Sequence, residues 1–351
     1  MNQHAVVLAL LSAALFGVST PAAKALLGSI DPTVLAGLLY CGAGIGAAVL
    51  RRILRARLVD PQTAEAVLTR QHVPWLAGAI VAGGIVGPIL LMVGLARTDA
   101  AAASLLLTLE GVATALLAWF VFHEYFDRRI AIGMACLVAG AALLSWSGTP
   151  TMTDLLGPLA IAGACFAWGL DNNLTRKVSL ADPLQIVELK GLIAGPVNLA
   201  LGLAVGGQIP ATSPLLIAGV VGFLGYGVSL ALFILALRHL GTARTGAYFS
   251  TAPFIGAIAA LLLLREPVTV QLIAAGLLMG LGVWIHVTEN HQHEHEHDPT
   301  EHAHRHVHDA HHQHEHSPDD PPGEPHTHAH RHQQLRHKHP HVPDMHHTHR
   351  H

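Results

Sequence analysis

The 351-residue chain is 51% apolar and only 12% charged, with 20 Lys/Arg against 23 Asp/Glu. That balance excludes a basic nucleic-acid binder. The averages also hide a boundary near His286: residues 1–287 carry 15 Lys/Arg and 12 Asp/Glu, while 288–351 carry 5 Lys/Arg, 11 Asp/Glu and 23 of the 28 histidines.

A helix needs about 20 mostly apolar residues to cross a hydrocarbon core of ~30 Å. Ten such stretches follow one another, at about 5–28, 32–50, 73–96, 100–122, 129–147, 155–173, 184–206, 213–237, 242–264 and 267–287. The first has no basic leader and stays apolar past the small residues of STPAAKA, so it is expected to be retained as a helix, not cleaved as a signal peptide. Cys41, Cys136 and Cys165 fall singly within spans and read as small core residues, with no disulfide framework and no CxxC pair. Gly42, Gly44 and Gly46 in the second span, with Gly276, Gly280 and Gly282 in the tenth, read as close-packing faces; no P-loop is present.

Glu110 lies near the middle of the fourth span, with Thr114 one turn away on the same face. A carboxylate at that depth is costly and is expected to face the bundle interior or a wet cavity, where it can bind a coupling proton or a cationic substrate. Structural hydrogen bonding across helices is the alternative. At the end of this span His123-Glu124 begins like a zinc-protease helix, but Asp127 stands where the second histidine is required, and no nucleophile, base and orienter occur at recognisable spacing. The chain is not expected to be an enzyme.

In the sixth span Trp168, Asp171, Asn172 and Thr175 recur at helical spacings, giving one face an aromatic plate with carboxylate, amide and hydroxyl. Such a face can hold a polar solute; a polar helix terminus is the alternative. Asn173 points elsewhere and suits a bond to a neighbouring helix. In the seventh span Glu188 and Lys190 are two residues apart and cannot face each other, whereas Lys190 and Asn198 share nearly one stripe. Each charge therefore wants a partner from another helix, and Asp171 is a candidate for Lys190; Glu188, Lys190 and Asn198 are expected among the substrate-binding or coupling residues, with a structural ion pair snorkelling to the nearby interface as the alternative.

Beyond residue 287 histidine recurs every second position: His291, His293, His295 and His297, then His302, His304, His306 and His308, then His326, His328, His330 and His332. A chain with this spacing can gather neutral imidazoles around Zn²⁺, Ni²⁺, Co²⁺ or Cu²⁺, with the interspersed carboxylates as further donors. Few apolar residues accompany them, so this tail is expected to lack order without metal. No cofactor is required.

With ten spans both termini share one side. If that side is cytoplasmic, its connections hold Arg51, Arg52, Arg55, Arg57, Arg70, Arg128, Arg129, Arg176, Lys177, Arg238 and Arg244, against Lys24, Arg97 and Arg265 opposite. Eleven against three is a strong positive-inside bias, which predicts a multi-pass protein of the inner, cytoplasmic membrane with the tail inside.

The chain also repeats. Leu15–Lys24 (LFGVSTPAAK) returns as Ala167–Arg176 (AWGLDNNLTR), and Ala115–Phe126 (ALLAWFVFHEYF) as Ala257–Val268 (AIAALLLLREPV), which aligns Glu124 with Glu266 in equivalent inter-helix turns, a place that fits a turn or gate role better than catalysis. Five spans per half is an odd number, so the second copy inserts upside down: an all-α membrane protein of two inverted five-helix repeats. These sections are taken as 1–147, 155–287 and the tail 288–351.

FVFHEYFDRRIAIGMACLVAGAAL and LLLLREPVTVQLIAAGLLMGLGVW, with TAPFIGAIAA around Pro253 and FAWGLDNNLTRK, resemble the drug/metabolite transporter superfamily with two EamA-type domains. That resemblance implies ten helices around a central cavity and export or exchange of small molecules without ATP hydrolysis. It covers residues 5–287 and none of the tail. Where the second half has Pro253, the first has Glu110 in the neighbouring position. The expected partners are the lipid bilayer, a small-molecule substrate and divalent metal ions, with a homodimer open to it and no nucleic acid. A divalent-metal exporter fed by the tail, and a membrane-anchored metal buffer without transport, are the alternatives.

Overall fold

The computed structural model describes residues 3–57, 68–122, 128–146, 152–178, 181–240, 242–287, 291–297, 301–306, 326–331 and 335–341. Among them ten spans can be followed: α1 (Gln3–Leu26), α2 (Pro32–Arg57), α3 (Arg70–Leu95), α4 (100–122), α5 (Arg128–Leu144), α6 (Met152–Arg176), α7 (Pro183–Ala204), α8 (212–240), α9 (242–263) and α10 (Val270–Val287). The ends follow local chemistry. Asp182 caps α7, its Oδ1 accepting from Leu184 N at 2.9 Å and Gln185 N at 3.3 Å, with Pro183 at the first helical position where its missing N–H costs nothing. Gly206, at φ 96°, closes the other end in the left-handed conformation, and Gly207 N donates to Gly202 O at 3.0 Å.

Large apolar side chains such as Leu262, Leu277 and Phe120 face outward, where lipid would meet them. Small residues line the tight helix contacts, where they let backbones approach, while Leu35, Leu39, Leu91 and Ile186 are among the large side chains buried around them. The most extensive contact is between α2 and α7. A Cβ at Gly44 would lie 2.5 Å from Leu192 N, one at Gly37 2.5 Å from Leu199 N, and one at Gly195 2.6 Å from Cys41 N. The two helices therefore touch backbone to backbone along their length, and this seam joins one repeat to the other. The cysteines are free.

Four departures from regular helix, two in each repeat, position the interior. The fourth span is broken between Ala100–Leu106 and Leu109–Phe122, and the ninth between Thr242–Phe249 and Ala252–Leu263. Thr108 and Ser250, in the two breaks, stand equally far before Glu124 and Glu266, so the breaks are one feature of the repeat seen twice. The third departure is a π turn, Ile80–Val86, within α3; the fourth is the corresponding one in α8, at Phe223–Val228.

In the tail, extended backbone pairs antiparallel: β1 (His291–His297) with β4 (Leu335–His341), and β2 (Glu301–His306) with β3 (His326–Arg331). Strict His-x-His alternation is a period-two pattern compatible with such pairing, and it supplies no apolar face for a core. His308 and His332 lie outside the described residues, and so do His123, Glu124 and Asp127.

Candidate functional site

The π turn explains much of the site. Gly87 N donates to Ala82 O, five residues back, so Gly83 O loses its helical donor; Gly84 O loses its own because Pro88 has no N–H. Both carbonyls are satisfied by side chains of other spans. Gly83 O accepts from Tyr40 Oη at 2.6 Å and from Trp168 Nε1 at 2.9 Å, and Gly84 O accepts from Asn198 Nδ2 at 2.8 Å. Trp168 and Asn198, expected as solute-binding residues, are thus fastened to α3. Asn198 keeps one atom, Oδ1, buried without a partner.

Asp171 and Lys190 do meet. Lys190 Nζ donates to both carboxylate oxygens, at 2.6 and 2.7 Å, and Thr175 Oγ1 donates to Asp171 Oδ1 at 2.8 Å. Lys190 is 3% exposed and Asp171 7%, so the pair is enclosed and does not reach up to the membrane surface. A side chain at Gly83 would collide with Asp171, which fits the pair tightly under the π turn.

The sixth-span face does not act as one unit. Positions 171 and 172 are neighbours about 100° apart around a helix, and Asn172 turns to α4. Its Nδ2 donates to Glu110 Oε1 at 2.8 Å and lies 3.4 Å from Thr114 Oγ1, so Glu110, Thr114 and Asn172 form a second cluster. Asn173 bonds Gly169 O at 2.8 Å and Thr114 O at 3.3 Å, joining α6 to α4. Asp171 and Thr175 are buried, which excludes a solvated helix terminus.

Glu110 itself lies in the first turn of the second half of α4, immediately past the break. A carboxylate there meets the positive end of a half-helix. Among the described residues it has no Lys or Arg within ion-pair distance, in contrast to the other interior charges. Glu188 pairs with Arg51 at 2.7 Å, and Asp182 with Arg51 at 2.9 Å and Arg55 at 3.4 Å. Glu188, expected among the substrate-binding residues, therefore belongs to a network at the edge of the α2–α7 seam; Arg51 reaches it because the seam brings the two helix ends together.

Sequence reasoning did not find the aromatic cluster at the centre. Phe16 sits edge-on to Trp168 and to Tyr226, each at 5.9 Å between ring centroids, and 5.5 Å from Phe249; Tyr40 lies 5.7 Å from Tyr226. Phe16 precedes Gly17 as Trp168 precedes Gly169, so matched residues of the two repeats touch at the centre of the bundle. That alignment was the available signal. Among the described residues no three His, Cys, Asp or Glu converge as a metal-ligand set.

The chain is similar to known proteins over this whole bundle. The model of the EamA-like transporter family matches residues 3–146 and again 155–288. An uncharacterized transporter of Methanothermobacter thermautotrophicus is 29% identical over 284 residues, 77% of this chain and 82% of that protein. A solved structure, described only as the crystal structure of a protein, superposes with a TM-score of 0.59 over 81% of this chain and 96% of its own, at 16% identity, which speaks to the fold alone. Two consecutive matches spanning the ten helices mean that the chain belongs to the EamA-like transporter family.

Proposed function

We propose that this protein is a secondary transporter that exports a small metabolite or similar solute by alternating access between its two inverted halves, with Glu110 as the acid that binds the coupling proton or the charge of the substrate. The observation that carries this reading is the position of Glu110: at a helix break repeated in the other half, held by an uncharged amide and, unlike Asp171, Asp182 and Glu188, without a paired cation among the described residues. Discontinuous helices at repeat interfaces are where transporters of this architecture place their sites. Thr114 and Asn172 complete the polar surface around the acid, and the Phe16, Trp168, Tyr226 and Phe249 rings offer apolar faces nearby in α1, α6, α8 and α9. The Asp171–Lys190 pair and Asn198 hold the walls in register.

The positive-inside distribution supports placement in the cytoplasmic membrane with both termini inside. The histidine comb, three sets of four residues at alternate positions, supports a cytoplasmic buffer or sensor for transition-metal ions. A tail that hands such ions to the bundle is the second reading, favoured by the comb alone.

Glu110→Gln keeps size and hydrogen bonding but cannot titrate. In proteoliposomes it is expected to insert and fold normally, and to lose transport or its dependence on an imposed proton gradient. A poorly folded variant with normal specific activity would show that Glu110 is structural. Removing residues 288–351 separates the tail readings: retained metal tolerance of cells points to a metabolite as cargo, and lost tolerance to delivery.

A further inference from the structure

The face of the bundle opposite the termini carries an arrangement that neither the transport reading nor the family assigns. The hairpin joining α3 to α4 is held there from two sides by charged side chains of other spans. Lys24, near the end of α1, donates from Nζ to Leu95 O at 2.7 Å, the last carbonyl of α3, and to Thr98 O at 2.8 Å, within the turn. Glu266, in the turn between α9 and α10, accepts from Ala100 N at 2.7 Å and Ala101 N at 2.8 Å, the first two amides after it. Each charge sits at the helix end whose dipole it complements. Lys24 belongs to the same repeat as the hairpin; Glu266 comes from the other.

The residue that would ordinarily cap α4 is Asp99, which has extended backbone angles but makes no side-chain cap bond. The cap is supplied from the opposite half instead. The turn that delivers it is strained: Arg265 has φ 56°, a left-handed conformation costly for a side chain of its size. One turn below the capped amides, Ser104 is 1% exposed at the contact between α4 and α9, and a Cβ on Gly256 would lie 2.8 Å from its Oγ. Separating the halves on this face requires the two carboxylate bonds to break before Ser104 is uncovered.

We propose that Glu266 is a latch between the repeats, whose two bonds to the start of α4 hold this face closed and whose release sets how readily it opens. The proposal rests on the alternating-access reading above.

The test uses full-length protein with Cys41, Cys136 and Cys165 replaced by alanine and Ser104→Cys as the reporter, labelled in intact cells with an impermeant maleimide. Glu266→Gln keeps one acceptor oxygen but turns an N–H₂ toward the helix amides. Ala100→Pro removes one amide donor at a helix position that tolerates proline. Each loses a charge-assisted bond, so labelling is expected to rise on the order of tenfold in both. Arg265→Gly, which suits the left-handed turn and leaves the carboxylate in place, is expected to label as slowly as the parent.

Parent and Glu266→Gln labelling at equal, measurable rates overturns the latch and leaves the alternating-access reading standing. Arg265→Gly labelling as fast as Glu266→Gln also overturns it, because the turn and not the carboxylate would then govern. A reporter that stays unlabelled in every background overturns the latch together with the alternating-access reading. If Glu266→Gln fails to fold, Ala100→Pro carries the comparison.

Discussion

Removing one member of the Asp171–Lys190 pair tests whether the interior of α6 and α7 is as closed as its geometry says. In Lys190→Met the carboxylate of Asp171 keeps only the Thr175 hydroxyl, 2.8 Å away, in a site where it is 7% exposed. Breaking a buried pair this way costs about 3–5 kcal/mol, because one charge stays enclosed without its partner. Unfolding a domain of roughly this size shifts by about 2–4 °C per kcal/mol, so the melting temperature should fall by about 6–20 °C. Asp171→Asn should lose less, since the amide oxygen still accepts from Lys190 and fits beneath Gly83 without a new collision. The double variant, which encloses no net charge, should recover most of the loss and give a coupling of a few kcal/mol by double-mutant cycle. Near-ultraviolet circular dichroism melts of detergent-purified protein measure all four. Single variants within about 1 kcal/mol of the parent would mean that water reaches the pair. A double variant that loses the sum of the singles would mean that the residues act independently.

The α2–α7 seam predicts a steric effect of similar clarity. Gly44→Ala places a methyl 2.5 Å from Leu192 N and 2.6 Å from the Gly191 carbonyl carbon, neither on a flexible group; a loss of about 1–3 kcal/mol is expected, and an unchanged melt would show that the helices can part there. For the tail, metal binding needs unprotonated imidazole, whose ordinary pKa is about 6.5. Lowering pH through that value protonates the ligands, so full-length protein should take up more Zn²⁺ or Ni²⁺ than protein lacking 288–351 at pH 7.5. The excess should vanish near pH 5, with Mg²⁺ giving no excess at either pH. Equal uptake by the two proteins at pH 7.5 would leave the comb a solvated tail.

The spans were legible because bilayer thickness imposes a length on apolar sequence, and the repeat because matched residues survive in LFGVSTPAAK and AWGLDNNLTR. The Lys190–Asp171 pair was legible for a related reason: two charges that cannot satisfy each other on one helix must look elsewhere, and few partners exist inside a membrane. The break in α4 left no comparable mark. Nothing in SLLLTLEGV disfavours helix strongly, and the interruption shows only in the backbone bonds: Leu107 N reaches both Ala103 O and Ser104 O, and Glu110 N reaches Leu107 O. The π turn did leave a mark, Pro88 following Gly83 and Gly84 at the distances that free their carbonyls, but the donors that answer them lie in α2, α6 and α7. Long-range satisfaction of that kind is invisible to periodicity. Glu266 was legible as the repeat partner of Glu124, though not as a cap for α4, because a capping residue was already present at Asp99.

The contact between Phe16 and Trp168 bears on energetics as well as shape. In the alternating-access cycle proposed above, identical repeats would make the inward-open and outward-open forms of the bundle images of each other and equally populated. At the centre, however, a benzyl ring on one side answers an indole on the other, and only the indole has an N–H to donate to Gly83 O. The mismatch continues outward, with Glu110 beside the position that Pro253 occupies in the other half. Rotating such a bundle exchanges unlike environments, so the two forms differ in free energy, and a difference of about 1.4 kcal/mol already makes one ten times more abundant. Apparent affinity for solute on the two sides of the membrane then differs by the same populations, although net flux still follows the driving gradient. A Phe16→Trp, Trp168→Phe exchange would alter that resting bias without adding or removing an aromatic ring.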